Sequence, residues 1–194
     1  GTQATLTAGR FTMDLGSRRL VGRNNFRNAT NAFTGARFDV TGREGRALTA
    51  FFTMPQQRLP ADKASILDNE VEWDREGSDL LFYGLFGTAK IADHTAELYF
   101  YGLDEHDRPD NATRDRRLFT PGLRVLRAPK TGRIDYQVEY AYQFGERSVS
   151  TAPGAAKQDV SAHFLHAEIG RRFDASWQPR LAAVYDLATG DKAG

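Results

Sequence analysis

The stretch Ile134-Asp-Tyr-Gln-Val-Glu-Tyr-Ala-Tyr-Gln-Phe144 alternates between two kinds of side chain. Its even positions are aliphatic or aromatic, and its odd positions are polar or charged except for Ala141. A period of two over eleven residues predicts a β-strand with one apolar and one polar face. Strands of soluble domains are usually about 5–6 residues long, whereas a strand that crosses a membrane needs about 9–11 residues. Length and alternation together favour a strand with lipid on one side and a water-filled lumen on the other.

The rest of the chain repeats this alternation between clusters of turn-forming residues. The pattern predicts about nine strands and no helix, with the strands at 2–11, 33–41, 46–54, 80–88, 95–103, 118–127, 133–145, 159–172 and 179–189. Short turns alternate with longer polar links, which span residues 12–32, 55–79, 104–117 and 146–158. Outer-membrane barrels have this asymmetry, with short turns on one rim and longer loops on the other. The sequence therefore predicts an all-β fold, an antiparallel up-and-down transmembrane β-barrel in the bacterial outer membrane.

The number of predicted strands also predicts that the barrel extends beyond this sequence. Bacterial barrels of this type have an even number of strands, and nine strands leave one edge unpaired. The chain starts with neither an initiator Met nor a basic-then-apolar signal segment. We therefore expect residues 1–194 to form a single β-barrel domain that belongs to a longer chain.

A soluble β-barrel that binds a ligand in its polar cavity is the alternative interpretation. Its apolar face would be a core, and its polar face would bury many ionisable groups at a large desolvation cost. Those groups are Arg37, Asp39, Glu97, Arg124, Asp135, Glu139, Glu168, Arg180 and Asp186. A water-filled lumen removes this cost, and aromatic residues near the strand ends are typical of the interfacial girdles of membrane barrels. Dependence on detergent distinguishes the two interpretations.

Composition excludes several classes of protein. The hydrophobic content of 40% and the mean hydropathy of −0.54 leave no apolar run long enough for a helical membrane span. The absence of cysteine excludes disulfides and thiolate metal sites. The net charge is +1, with 21 Arg against 5 Lys. The guanidinium group of arginine pairs bidentately with carboxylates, so the excess of Arg over Lys suits a protein that binds carboxylate groups. Alternatively, the excess reflects a GC-rich genome that favours Arg codons.

No arrangement of residues indicates catalysis. The chain has no Gly-x-Ser-x-Gly motif, and His163 and His166 are three apart, which places them on opposite faces of a strand. The acidic stretch 104–113 suits a solvated external loop or a calcium site, although it lacks the spacing of an EF-hand. We therefore predict no enzyme, no cofactor, no metal site and no nucleic-acid partner. A hydrolase built in a membrane barrel is a third, weaker interpretation, which activity on esters would reveal.

The first long link contains a basic cluster of Arg18, Arg19, Arg23 and Arg27. Cationic rings in a pore select anions, because the walls of the lumen focus their field on the solute. Alternatively, the cluster lies in an external loop, where its arginines bind lipopolysaccharide phosphates or water.

Short motifs along the chain resemble bacterial alginate-export-type outer-membrane proteins. The early motifs are Ala8-Gly-Arg-Phe11, Asp14-Leu-Gly-Ser-Arg-Arg-Leu-Val-Gly22, Asn25-Phe-Arg-Asn28 and Ala32-Phe-Thr-Gly-Ala-Arg37. The later ones are Phe82-Tyr-Gly-Leu85, Arg133-Ile-Asp-Tyr-Gln-Val-Glu-Tyr-Ala-Tyr142 and Tyr185-Asp-Leu-Ala-Thr-Gly-Asp191. The resemblance implies a monomeric barrel of roughly 16–18 strands, with an arginine-lined conduit for an anionic polysaccharide.

The resemblance and the residues together predict a passive conduit for export or diffusion of anionic or sugar-like solutes. Alginate or a related uronate polymer is the implied solute, and outer-membrane lipid and lipopolysaccharide are the implied surroundings. By the resemblance, the path is lined by Arg10, Arg19, Arg23, Arg27, Arg37 and Arg124. The predicted lumen also contains Arg180, with Glu97, Asp135 and Glu139 among the arginines to keep solute binding weak enough for exit.

Overall fold

The computed structural model describes residues 1–23, 30–60, 62–108 and 112–190. Within these residues nine antiparallel strands form one sheet, in which each strand pairs with its neighbours in the sequence. The strands are β1 (Gln3–Phe11), β2 (Phe33–Thr41), β3 (Ala47–Pro55), β4 (Leu80–Ile91), β5 (His94–Glu105), β6 (Arg117–Arg127), β7 (Ile134–Ser148), β8 (Lys157–Arg172) and β9 (Arg180–Ala188). The predicted all-β, antiparallel up-and-down architecture is confirmed. Over the described residues the sheet ends at β1 and β9 and is open.

The turn between β4 and β5 is shorter than the sequence predicts. The pattern places a turn at 89–93, but the ladder continues to the pair Ile91 and His94. Only Ala92 and Asp93 remain in the turn, and Ala92 has a φ of 55°. Two-residue hairpin turns favour this left-handed backbone and usually mark it with Gly, Asn or Asp. Because alanine occupies the left-handed position, the sequence lacks at that position the Gly, Asn or Asp that would have indicated a two-residue turn.

One short helix lies in the link between β3 and β4, where the sequence predicts none. The helix α1 (Lys63–Leu67) begins after Asp62, whose carboxylate accepts a hydrogen bond from the backbone N–H of Ser65 at 3.0 Å. Such an N-cap satisfies one of the free N–H groups of the first helical turn. No helix in the described parts of the chain has the length and apolar character to cross a membrane.

The pairing register sorts the side chains onto two faces. Glu97 and Glu139 lie on what we call the polar face, and Leu98 and Tyr140 lie on the apolar face. The apolar face stays open to its surroundings, with Leu98 68% exposed and Leu181 70% exposed. A soluble barrel would bury this face in its core, so the exposure favours lipid contact.

Aromatic side chains mark both ends of the apolar face. Towards the long links, Phe119 packs on Phe100 and Phe144 with ring centroids 6.0 Å and 5.6 Å apart. Towards the short turns, Tyr136 packs on His94 at 5.8 Å. The two levels are separated on β7 by the interval from Tyr136 to Phe144, about 27 Å along the strand. An apolar band of about 25 Å flanked by aromatic girdles is typical of outer-membrane barrels.

The buried core lies on the polar face, beneath residues 12–23, which we call the inner segment. After β1 the chain turns back over the sheet, and Met13, Leu15 and Val21 are 1%, 6% and 2% exposed. They pack on a cluster that contains Phe33, Phe51, Phe86, Tyr99, Tyr101 and Ala141. The aromatic rows of β3 to β5 thus form the floor on which the inner segment rests.

Candidate functional site

The inner segment is a compact turn closed at its base. The N–H of Leu15 donates to the carbonyl of Val21 at 3.1 Å. At the base, Asp14 accepts from the backbone N–H of Arg23 at 2.7 Å and from its Nε at 2.8 Å. The side-chain bond from Arg23 lowers the pKa of Asp14 below its ordinary value. This ion pair joins the two ends of the turn, and Leu15 and Val21 lie between its partners.

Gly16 brings the tip of the inner segment directly onto the sheet. Its φ of 54° lies in the left-handed region, where glycine carries no steric cost. A Cβ at this position would lie 3.0 Å from Oε2 of Glu97 and 3.1 Å from a ring carbon of Phe86. The segment therefore touches the wall with its backbone and leaves no space for a side chain.

A row of charged residues crosses five strands next to the inner segment. Strand pairing places them side by side on β5 to β9, in the order Glu97, Arg124, Glu139, His166 and Asp186. We call this row the charge ladder. Nη1 of Arg124 bonds Oε2 of Glu97 at 2.9 Å, and Glu139 and His166 are 3% and 2% exposed. Opposite charges on neighbouring strands stabilise such a row.

Arg19 connects the inner segment to the charge ladder. Its Nη1 donates to Oε2 of Glu139 at 3.0 Å, and its Nη2 lies 3.0 Å from Nε2 of His166. The hydroxyl of Tyr99 donates to the other oxygen of Glu139 at 3.3 Å. Nδ1 of His166 lies 2.6 Å from Oδ1 of Asp186. One guanidinium thus reaches from the segment to β7 and β8.

A second ion-paired group lies nearer the short turns. Nε of Arg180 donates to Asp135 at 3.1 Å, and its Nη2 donates to Glu168 at 2.6 Å. Asp135 is 1% exposed. A Cβ on Gly170 would lie 2.5 Å from Arg180 and 2.9 Å from Asp135, so the bare backbone of Gly170 provides the space for this pair.

The other predicted path arginines occupy separate places. Arg37 lies on the polar face of β2 and bonds Asp39 at 2.8 Å. Arg10 alternates with Phe11, which packs against the inner cluster, and it bonds Glu76 at 3.1 Å. Arg10 therefore lies on the face opposite to the ladder. Arg27 lies outside the described residues.

Every predicted path arginine in the described chain thus has a carboxylate partner. In the ladder and the second group, four carboxylates pair with the three guanidinium groups of Arg19, Arg124 and Arg180, and a fifth, that of Asp186, pairs with His166. An ion pair presents a dipole to a passing solute rather than a free positive charge. The described wall is a network of neutralised arginines, and the role of its members in a solute path stays a prediction.

Sequence reasoning missed the inner segment and the part that His166 plays beside it. The signal was available as Met13, Leu15 and Val21, apolar residues inside a link that is mostly polar. In the acidic stretch 104–113, Asp107 accepts from the N–H of Thr113 at 2.7 Å. Among the residues that the structure describes, no group of three or more acidic, histidine or cysteine side chains could hold a metal ion.

Comparison with known protein families gives a match along the entire chain. The model of a family described as alginate export covers residues 1–194. No curated protein and no solved structure matches the chain. The match confirms the resemblance read from the short motifs, and with it the location in the outer membrane. It does not support the soluble alternative, and it agrees with transport rather than catalysis.

Proposed function

Because the chain belongs to the alginate export family of outer-membrane channels, we propose that its polar face lines the path of an anionic or sugar-like solute. Alginate or a related uronate polymer is the solute of this proposal. The observation that carries it is the contrast between the two faces of one sheet. Leu98 and Leu181 are exposed on one face, while the ladder crosses the other face within direct contact of a folded-in segment.

The proposal includes a larger barrel. β1 and β9 are the edges of the described sheet, and an unpaired edge cannot stand in hydrocarbon because its N–H and C=O groups lack partners. Further strands close the sheet into a monomeric barrel of roughly 16–18 strands, of which residues 1–194 form one continuous part. Outer-membrane lipid covers the apolar face, and lipopolysaccharide meets the rim of long links.

The ion pairs suggest how a polyanion passes without being trapped. A uronate carboxylate that approaches Arg19, Arg37 or Arg124 competes with Glu139, Asp39 or Glu97 for the same guanidinium. The arginine guanidinium then binds the solute carboxylate in place of the protein carboxylate. When the solute moves on, the guanidinium pairs with the protein carboxylate again. Conduction requires binding strong enough to admit the solute and weak enough to release it. An arginine that exchanges between a protein carboxylate and a solute carboxylate meets both conditions.

Single-channel recording of the full-length protein in planar bilayers tests the proposal. We expect discrete openings that favour anions in a salt gradient and are blocked by uronate oligomers. Replacing Arg19, Arg23 and Arg27 with Ala reduces the anion preference, because three cations of the first long link are lost. The matched control replaces Arg43, Arg46 and Lys130, three cations exposed on short turns. An unchanged reversal potential in the first variant contradicts the assigned path, and absence of openings from folded protein contradicts the conduit.

A further inference from the structure

His166 lies where the charge ladder meets the inner segment, and charged groups approach it from every side. The groups that face it are Arg19 from the inner segment, Glu139 from β7, Asp186 from β9 and Glu168 from its own strand. One step further away, Arg124 is paired in register with Glu139, and Arg180 bonds Glu168. At 2% exposure, His166 interacts with these groups rather than with bulk water.

The hydrogen bonds of His166 fix its protonation state. An arginine side chain only donates hydrogen bonds, so Nε2 of His166 must accept the bond from Nη2 of Arg19 at 3.0 Å. The ring proton is then on Nδ1, which donates to Oδ1 of Asp186 at 2.6 Å. The contact with Arg19 therefore requires a neutral imidazole with its lone pair on Nε2.

We propose that neutral His166 is a positioning residue of the solute path, which holds Arg19 and thereby the inner segment across the polar face. A proton taken from the solvent onto Nε2 removes the lone pair that Arg19 needs and sets two cations against each other. The new N–H faces Oε2 of Glu168, 3.8 Å away, and Arg19 keeps only its bond to Glu139. Protonation thus releases one of the two polar contacts of Arg19 and widens the path. The inference rests on the proposed conduit, since only there does the position of the segment govern passage.

The segment is suited to such a change because its two anchors differ in kind. Met13, Leu15 and Val21 are held by apolar burial, which does not depend on proton uptake. Arg19 lies beyond Gly16 and Arg18, two residues with left-handed backbone. Its side chain is 32% exposed, so water reaches it as soon as the bond to His166 breaks. The tip moves while the apolar base stays in place.

Conductance at different pH values tests this role in the full-length protein. The recordings compare neutral with mildly acidic solution, which stays above the range near pH 4 in which carboxylates ordinarily titrate. We expect the single-channel conductance to be higher in the acidic solution. His166→Gln keeps an acceptor for Arg19 without a group that takes up a proton, so we expect the difference in conductance between the two solutions to be lost, whatever the level of conductance at neutral pH. His163→Gln is the control, since His163 lies on the same strand but bonds Tyr140 on the apolar face. A wild-type pH profile in the His166→Gln variant overturns the proposal.

A distance measurement separates failure of this inference from failure of the conduit. The chain has no cysteine, so spin labels attach only where Leu20→Cys and Ala175→Cys introduce them, both exposed positions. We expect a second, longer distance to appear at low pH in the protein with His166 and to be missing in His166→Gln. A single pH-independent distance overturns the role of His166 even if the channel conducts. A lengthening in a protein that does not conduct supports the release but contradicts the conduit.

Discussion

Two links leave the same rim of the sheet and take opposite positions. The inner segment buries Met13, Leu15 and Val21, with Met13 at 1% exposure, whereas the link at 56–79 leaves Val71 and Trp73 96% and 95% exposed. Both links are polar overall, and each contains a carboxylate paired with an arginine, Asp14 with Arg23 in the inner segment and Glu76 of the other link with Arg10 of β1. They differ in what they meet, since the inner segment crosses the aromatic rows of Phe51, Phe86 and Tyr99. A complementary apolar floor, rather than the composition of the link, determines which link folds in.

The largest effect is expected where this complementarity is removed. Met13→Ala deletes a fully buried side chain from the floor contact, and such truncations typically cost about 2–5 kcal/mol. Trp73→Ala in the exposed link removes a larger side chain but should change stability by less than about 0.5 kcal/mol. Hydrogen exchange of the inner segment in the refolded protein measures the difference. Equal effects at the two positions contradict the comparison.

The ion pairs of the two links provide the next contrast. Arg19 and Glu139 have side chains 32% and 4% exposed, whereas Arg10 of β1 and Glu76 of the exposed link have side chains 54% and 29% exposed. Double-mutant cycles to Ala should give a coupling of about 1.5–3 kcal/mol for the first pair and a clearly smaller coupling for the second, because solvent screens exposed ion pairs. Denaturant unfolding of the refolded protein provides the free energies. A coupling for Arg10 and Glu76 as large as that for Arg19 and Glu139 would show that burial does not set the strength.

A smaller effect is expected at the tip of the inner segment. Gly16→Ala introduces a Cβ that meets Glu97 and Phe86, in addition to a backbone cost of about 1–2 kcal/mol for a left-handed alanine. Gly154→Ala is a matched control, because Gly154 has a φ of 69° and no atom within 4 Å of its Cβ position. Any excess destabilisation of Gly16→Ala over Gly154→Ala, measured by unfolding, is the cost of pushing the tip from the sheet. Equal destabilisation by the two substitutions would show that Gly16 does not touch the sheet.

The strands were predictable from sequence because their signal is local. Alternation within β7 requires only residues 134–144, and the observed strand Ile134–Ser148 contains all of them. The position of the inner segment depends instead on contacts between distant parts of the chain, since Arg19 and Glu139 are 120 residues apart. The polar face of each strand was predictable, but the pairing of each arginine with a particular carboxylate was not. Pairing depends on register, and register is set by turns such as the one at Ala92.

The smallest effect concerns one carboxylate in each link, that of Asp14 and that of Asp62. The bond from Arg23 lowers the pKa of Asp14 at the base of the inner segment, and the N–H of Ser65 lowers that of Asp62 at the start of α1. A carboxylate whose pKa is depressed by folding stabilises the folded form above its unfolded value of 3.8 and loses this effect as the pH falls through the lower value. We therefore expect both local structures to loosen only when the pH falls below 3.8. High salt should reduce the change at Asp14, because salt screens its interaction with the charged Arg23. Amide chemical shifts of Arg23 and Ser65, followed against pH, report each event. Asp14→Asn should abolish the transition at Arg23 and leave that at Ser65 unchanged; if both disappear, the two links are coupled and their comparison as independent structures fails.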